Sequence, residues 1–391
     1  MNSWIVNMAA SMRRELRRVT GGWFYPLTMV VIPLAAGAII NAVFAPAVLR
    51  DIPVAVCDED HSALSRNITR LLDATPELAV VSQVDDLAAG RNLVVTGRCQ
   101  ALIHFPKGLD RDLSRKTPQP VVAYINNIFL QPAGSMDRAI KAALTTASVS
   151  QAAGIRMSMG AMEPAAASEA LPIRLENHLL YNPYLNYTHF LTATLLPALL
   201  SILIISLTIF AFGSELRYGT AGEWLTAAGQ SPWAAVAGKA LTHTVVFAGL
   251  SLIMMTWLVK GLGLPMEGSW PRLWAATLLF IAANQAAALL VLALTANLRL
   301  ALSIGGAYAV TAYPFAGITF PAIGMPAAAR YWSESLPLTH YLKILLEETL
   351  RPGATDMWGW IALVGFTIVA GSLAMSRLPR LMRDPSYWGR T

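Results

Sequence analysis

Six long apolar runs punctuate the chain, roughly Trp23–Phe44, Thr188–Phe212, Leu241–Val259, Leu273–Ala296, Leu300–Thr319 and Met357–Met375. At about 1.5 Å of rise per residue, each predicts a helix able to cross a hydrocarbon core about 30 Å thick. The first holds Pro26 and Pro33, so a kink is expected, tolerated where neighbouring helices satisfy the freed carbonyls. Between the second and third runs the pattern turns polar, ELRYGTAGEWLTAAGQSPWAAVAGK from Glu215 to Lys239. That stretch is expected to sit in water, with Gly222–Ala228 as a short amphipathic helix.

Residues 45–187 follow another rhythm. Short apolar runs at Ile52–Val56, Leu78–Val81, Ala101–Phe105 and Val121–Ile125 read as strands. They alternate with helical spacing at Leu64, Ile68, Leu71 and Leu72, a weaker helix at Val84–Leu93 and a short one at Leu109–Arg115. Such alternation predicts a small α/β unit with its own core. Asp60 and Ser62 are placed to cap the first of these helices. A long helix, about Ser135–Met159, and an Ala-rich linker at Glu163–Ala170 complete the insert.

Composition agrees with a membrane protein. Of 391 residues 55% are hydrophobic, and only 13% are charged against about 25% in ordinary domains. The formal net charge is +6. With apolar spans present, that points to basic cytosolic flanks and anionic lipid, and no basic stripe or RNA-binding aromatic signature suggests nucleic acid.

Arginines set the orientation. Arg13, Arg14, Arg17 and Arg18 precede the first span, Arg377, Arg380, Arg383 and Arg390 follow the last, and Arg299 lies between the fourth and fifth. Six spans place all of them on one side, so both termini are expected in the cytosol and the insert outside, with Lys260, Arg272 and Arg351 weakening the asymmetry. The first apolar run is too long for a secretory signal despite Ala45-Pro46-Ala47, and reads as an uncleaved anchor. Before it, residues 3–18 set Trp4, Ile5, Met8, Met12 and Leu16 against the arginines, which fits an amphipathic surface helix or a frayed basic tail. The reading is a polytopic α-helical membrane protein with six transmembrane helices and an α/β extracytoplasmic domain inserted between the first and second. Its parts are residues 1–22, an N-terminal helix; 23–44, the first span; 45–187, the insert; 188–376, spans two to six, with a cytosolic loop at 213–240 and an outer re-entrant hairpin at 320–351; and 377–391, a basic tail.

Several motifs, in order, carry a family resemblance. The insert opens IPVAVCDEDHSALSR, with Asp58, Asp60, Ser62 and Ser65, and returns through Tyr181-Asn182-Pro183 and Asn186-Tyr187. Glu215, Gly219 and Thr220 form a Glu-x-x-x-Gly-Thr pattern, with Leu225 and Pro232 in its run. FPAIGMPAAARYW and Leu336-Pro337-Leu338-Thr339-His340-Tyr341 follow the fifth span. In these features the chain resembles the permeases of type-2 ABC transporters, in the branch with a large extracytoplasmic insert. Two departures stand: Arg217 replaces the usual second glutamate, and Leu336 an asparagine.

The resemblance implies a subunit of an exporter for a drug, lipid or other amphiphile in the bacterial inner membrane. It implies a homodimer or heterodimer of permeases, and a separate ATP-binding subunit that holds ATP and magnesium, with no cofactor on this chain. By analogy the insert would meet a periplasmic adaptor and an outer-membrane channel. The coupling residues toward the ATP-binding subunit would be Glu215, Arg217, Gly219, Thr220, Glu223, Trp224 and Leu225, with Trp224 and Leu225 offering an apolar face. Pro321, Pro326, Pro337, Leu338 and Tyr341 would form the outer gate. Asn284 and Gln285 fit a substrate route or polar packing between helices.

Other chemistry is thin. No phosphate loop occurs; Gly238-Lys239 is followed by alanine. The spans hold almost no ionisable residue of the kind a proton-driven carrier needs, and His243 reads as packed or interfacial. Asp58, Glu59, Asp60 and His61 fit helix capping better than a metal site. Cys57 and Cys99 could pair if the insert is periplasmic, with two buried thiols slightly favoured. Two rival readings stay open: a receptor or scaffold whose insert binds a ligand or partner without transport, and an outer-face enzyme using Asp58, Asp60 or His61, which lacks a nucleophile–base motif.

Overall fold

The computed structural model describes residues 2–44, 49–114, 120–127, 130–158, 186, 188–350 and 357–389. They fall into two compact units, Met1–Ala47 with Leu179–Thr391, and Val48–His178. The expected linker at Glu163–Ala170, the return motif Tyr181-Asn182-Pro183, Tyr187, Arg351 and Arg390 lie outside the described residues.

The first unit is helical. After α1 (Asn2–Thr20) come α2 (Phe24–Phe44), α7 (Thr188–Arg217), α8 (Ala221–Ala227), α9 (Pro232–Gly261), α10 (Trp270–Thr295), α11 (Leu298–Phe315), α12 (Ala327–Glu334), α13 (Pro337–Leu350) and α14 (Met357–Arg383); α3 to α6 belong to the other unit. Five of these, α2, α7, α9, α10 and α14, are long and apolar enough to cross a membrane. The fifth apolar run forms a shorter helix: α11 stops at Phe315, has 18 residues and carries Arg299 in its first turn, so it falls below the apolarity of the other five. Proline positions also shape the helices. Pro26 lies in the first turn of α2, where its missing N–H has no intrahelical acceptor to leave unpaired, and a π-helical stretch, Leu27–Val31, follows it.

Helices α7 and α10 form the centre, with α14 and α13 against α10 and α11 against α7. The outer faces of α2 and α14 stay apolar, with Ile39, Val43, Ile361, Ile368 and Val369 exposed, as surfaces that meet lipid tails require. Helix α13 packs into the bundle through Leu338, Tyr341, Leu342 and Leu345. Tyr341 stacks on Phe280 with ring centroids 4.4 Å apart. Near its end, Glu348 accepts from the Ser269 backbone N–H at 2.7 Å and pairs with Arg272 Nε at 2.7 Å. At the other end of the unit's first break, the Thr188 hydroxyl donates to the Phe44 carbonyl at 3.0 Å, joining the residues that flank the insert.

The second unit is α/β. Strands β1 (Ile52–Asp58), β2 (Leu78–Val84), β3 (Ala101–Phe105) and β4 (Val122–Ile125) form a sheet in the order β2-β1-β3-β4. β1 runs parallel to β2 and β3, and β4 antiparallel to β3. One face is covered by α3 (Ala63–Asp73) and the long α6 (Leu130–Ser158), which bury Ile68, Leu72, Met136 and Ile140 against Val54, Val56, Ile103 and Phe105. The other face meets α4 (Leu87–Val95), where Gly90 lets Leu102 approach; a Cβ there would stand 2.6 Å from that side chain. α5 (Leu109–Ser114) follows β3. Ser62 caps α3 by accepting from the Ser65 N–H at 3.0 Å. Asp58 accepts from the N–H groups of Asp60 and His61, and Asp60 from those of Gly108 and Asp110. Ser62 thus caps α3 as expected, whereas Asp60 does not: its carboxylate serves the start of α5 instead. Cys57 and Cys99 are both buried and free.

Candidate functional site

The polar segment between α7 and α9 is shorter than its charges suggest. Helix α7 continues through Glu215 to Arg217, and α9 begins at Pro232, capped by Ser231. Lys239, expected at the edge of the loop, therefore lies two turns inside α9. The expectation that Glu215 sits in water is corrected: Glu215 and Lys239 have no exposed side-chain surface.

The charges are hidden because they are neutralised. Lys239 Nζ donates to Glu215 Oε1 at 2.7 Å. Arg14 grips the same carboxylate through two nitrogens, at 2.7 and 3.1 Å, and Arg18 adds a third contact at 2.8 Å. Lys239 also pairs with Glu15 Oε2 at 2.9 Å, and His243 Nε2 lies 2.9 Å from Glu15 Oε1. Three cations and two carboxylates thus share one site, with Glu15, Glu215 and Lys239 buried and the two arginines reaching in from a partly exposed position. Burial pushes the Glu15 carboxyl up, but the hydrogen bond to His243 and the charge of Lys239 outweigh it and leave it below its ordinary value.

The Glu-x-x-x-Gly-Thr pattern acquires a local cause. Gly219 takes φ +71°, a left-handed turn that ends the helix. That turn brings Thr220 back so that its N–H donates to the Glu215 carbonyl at 2.9 Å and its hydroxyl to the Glu215 carboxylate. Arg217 does not complete the pairing. Its guanidinium lies 5.6 Å from the Tyr218 ring centroid.

Helix α8 then lies against α1. Trp224 and Leu225, expected to face a partner, are 2% and 3% exposed; this too is a correction. The Trp224 indole N–H donates to Ser11 Oγ at 3.0 Å, and Ser11 donates to the Ala235 carbonyl at 2.9 Å. Lys239 Nζ sits 5.0 Å from the Trp224 ring and 5.6 Å from Phe212. Gly238 lets α1 approach; a Cβ there would stand 2.4 Å from the Met8 carbonyl oxygen. The chain end joins as well, its Gly389 N–H donating to the Leu216 carbonyl at 3.1 Å. The outward surface of this block carries Tyr218, Glu223, Thr226, Gln230 and Trp233.

Other predicted positions distribute differently. Asn284 accepts from Ser201 Oγ at 2.6 Å and donates to the Phe280 carbonyl; Gln285 accepts from Thr244 and donates to the Ala240 carbonyl. Both act as polar packing between helices. Pro337, Leu338 and Tyr341 are buried in α13, while Pro321 and Pro326 are exposed before α12. Sequence reasoning missed Arg14, Arg18, Glu15 and Lys239 as one cluster. The available signals were a lone glutamate among arginines, arginines four residues apart, and a lysine and histidine four apart on α9.

Five membrane-length helices packed into one bundle indicate a multi-pass membrane protein. The sequence profile of the ABC-2 family transporter proteins matches residues 23–375, and the chain belongs to that family. It is a permease, the membrane component of an ABC transporter and not itself the ATPase; permeases of this family pair with an ATP-binding subunit. A comparison with curated proteins gave no match.

Proposed function

We propose that the chain is the permease of an ATP-driven exporter, moving a drug, lipid or other amphiphile out of the cytoplasm or the inner membrane. In this reading six helices span the bacterial inner membrane, α11 being the one of lower apolarity, both termini are cytosolic, and Val48–His178 lies outside. Two permeases form the route, and an adaptor and outer-membrane channel meet the insert.

One observation carries the reading. Helix α8 is tied to α1 by the Trp224–Ser11 hydrogen bond, and α1, α7 and α9 are held to one another by the buried Glu215 and Lys239 charges. A push on α8 therefore moves the ends of two spans together, because a packed block transmits displacement without deforming. The residues left to receive the push are the outward ones, Tyr218, Glu223 and Trp233, in place of the buried Trp224 and Leu225. The gate residues Leu338 and Tyr341 sit on α13, packed on α10 and so continuous with the same bundle.

The test is recovery of the ATP-binding subunit with the permease. Tyr218→Asp with Trp233→Asp changes only exposed side chains and should abolish co-purification while leaving the permease inserted. Unchanged recovery and unchanged ATP turnover would place the motor elsewhere.

A further inference from the structure

Cys57, Glu59 and His104 form a cluster that none of the transport argument uses. Cys57 on β1 pairs in parallel register with His104 on β3, so both side chains leave the same face of the sheet. Glu59 lies two residues beyond Cys57 and shares that face, anchored by its N–H to the Phe105 carbonyl at 3.1 Å. The thiol, an imidazole nitrogen and a carboxylate oxygen all lie within 4.8 Å of one another. This is the one such group among the described residues.

The environment favours a cation. The His104 Nε2 atom is buried and makes no hydrogen bond, although Glu59 Oε1 is 3.3 Å away. That nitrogen thus has a carboxylate oxygen within reach but no hydrogen bond to hold it, and is free to serve as a ligand atom. Cys57 is fully buried, and the carboxylates of Asp58, Asp85 and Asp86 are close enough to act on it electrostatically.

We infer that Cys57, Glu59 and His104 bind a borderline-soft divalent transition metal, zinc by preference, at the C-terminal ends of β1 and β3. One thiolate, one imidazole and one carboxylate match the zinc donor set, and three protein ligands leave a fourth position for water. Zinc bonds of about 2.0–2.3 Å set donor atoms roughly 3.5 Å apart, so closure needs side-chain shifts of about 1 Å. Glu59 and His104, both partly exposed, have the freedom to make them. On binding, the Cys57 proton passes to solvent and an S–Zn bond forms, with no change of oxidation state.

The test uses the full chain purified in detergent and titrated with zinc against a chromophoric chelator. One zinc per chain is expected in the wild type. Cys57→Ser, His104→Gln and Glu59→Gln should each weaken binding by about tenfold or more, while Cys99→Ser, altering the other buried thiol, should not. Cobalt in place of zinc should show a thiolate-to-metal charge-transfer band, lost in Cys57→Ser and kept in Cys99→Ser. Circular dichroism checks folding; His104→Gln and Glu59→Gln, at partly exposed sites, serve if Cys57→Ser unfolds. Unaltered zinc affinity in both of those variants, or no thiolate band with cobalt, would overturn the assignment. Nickel bound in preference to zinc at these three ligands would overturn the choice of zinc.

Discussion

Trp224 and Ser11 meet across 213 residues of sequence through an indole N–H to hydroxyl bond of 3.0 Å. The bond ties the short helix between two spans to the N-terminal helix, and Ser11 passes the tie on to α9. Trp224→Phe keeps most of the volume and loses the bond, a cost of about 1 kcal/mol. Trp224→Ala leaves a cavity at the junction and should cost about 3–5 kcal/mol. Thermal melting in detergent should rank the three proteins in that order.

The Glu215–Lys239 pair predicts a non-additive result. Glu215→Gln leaves Arg14 and Arg18 around a neutral amide and Lys239 with Glu15 alone, and breaking a buried pair this way costs about 3–5 kcal/mol. Lys239→Met, similar in length, costs less because the arginines remain on Glu215 and His243 on Glu15. The double variant should be more stable than the sum of the two losses by at least about 1 kcal/mol. Equal additivity in a double-mutant cycle would mean that the charges act separately.

Gly238 sets the distance between α1 and α9. Gly238→Val places atoms into the Met8 backbone and Ser11, and should lift α1 from the bundle. Protease access within residues 2–20 should rise while the membrane helices stay protected. Persistence of the wild-type cleavage pattern would show that α1 accommodates the change.

Acid should loosen the same helix. The folded Glu15 carboxyl lies below its ordinary value of about 4.3. Its contribution is therefore complete above that value and is lost as pH falls through the lower, folded one. Protection of α1 should be flat from neutral pH to about 5 and decline beneath about 4. In Glu15→Gln that decline should be smaller, since the Glu215 carboxylate still holds Arg14 and Arg18 of α1, with weaker protection at neutral pH.

Topology is checked by thiol labelling in spheroplasts. Cysteines placed at Thr145 and Glu267 should react with an impermeant reagent from outside, and one at Gln230 should not. All three sites are exposed, and the native Cys57 and Cys99 are buried. Labelling at Gln230 would invert the orientation.

Much of the architecture was legible because its periods are strong. Ala101–Phe105 appears as read, and the insert alternates strand and helix as its apolar runs imply. The ends of helices were harder to see. Glu215 and Lys239 look like loop residues to any rule that equates charge with water, yet each neutralises the other inside the bundle. Their arginine partners come from a segment that reads equally well as a surface helix or a tail, since an isolated amphipathic pattern does not name what it packs against. Trp224 and Leu225 are apolar on a short helix, and the sequence does not say whether that face meets a partner or the chain itself. The metal-ligand trio was invisible for another reason: β1 and β3 are brought side by side only by the sheet register.

The buried charge site also fixes an order of assembly. Glu215 follows Arg14 by 201 residues, so at about 5–20 residues per second the ribosome reaches it some 10–40 s later. Until then the newborn N-terminal helix exposes a buried-to-be glutamate and two arginines with nothing to hold them. Its seat is created only when the third membrane-length helix has been made. The first helix synthesised is thus fixed only after two later spans exist, and its docking reports that α7 and α9 have met.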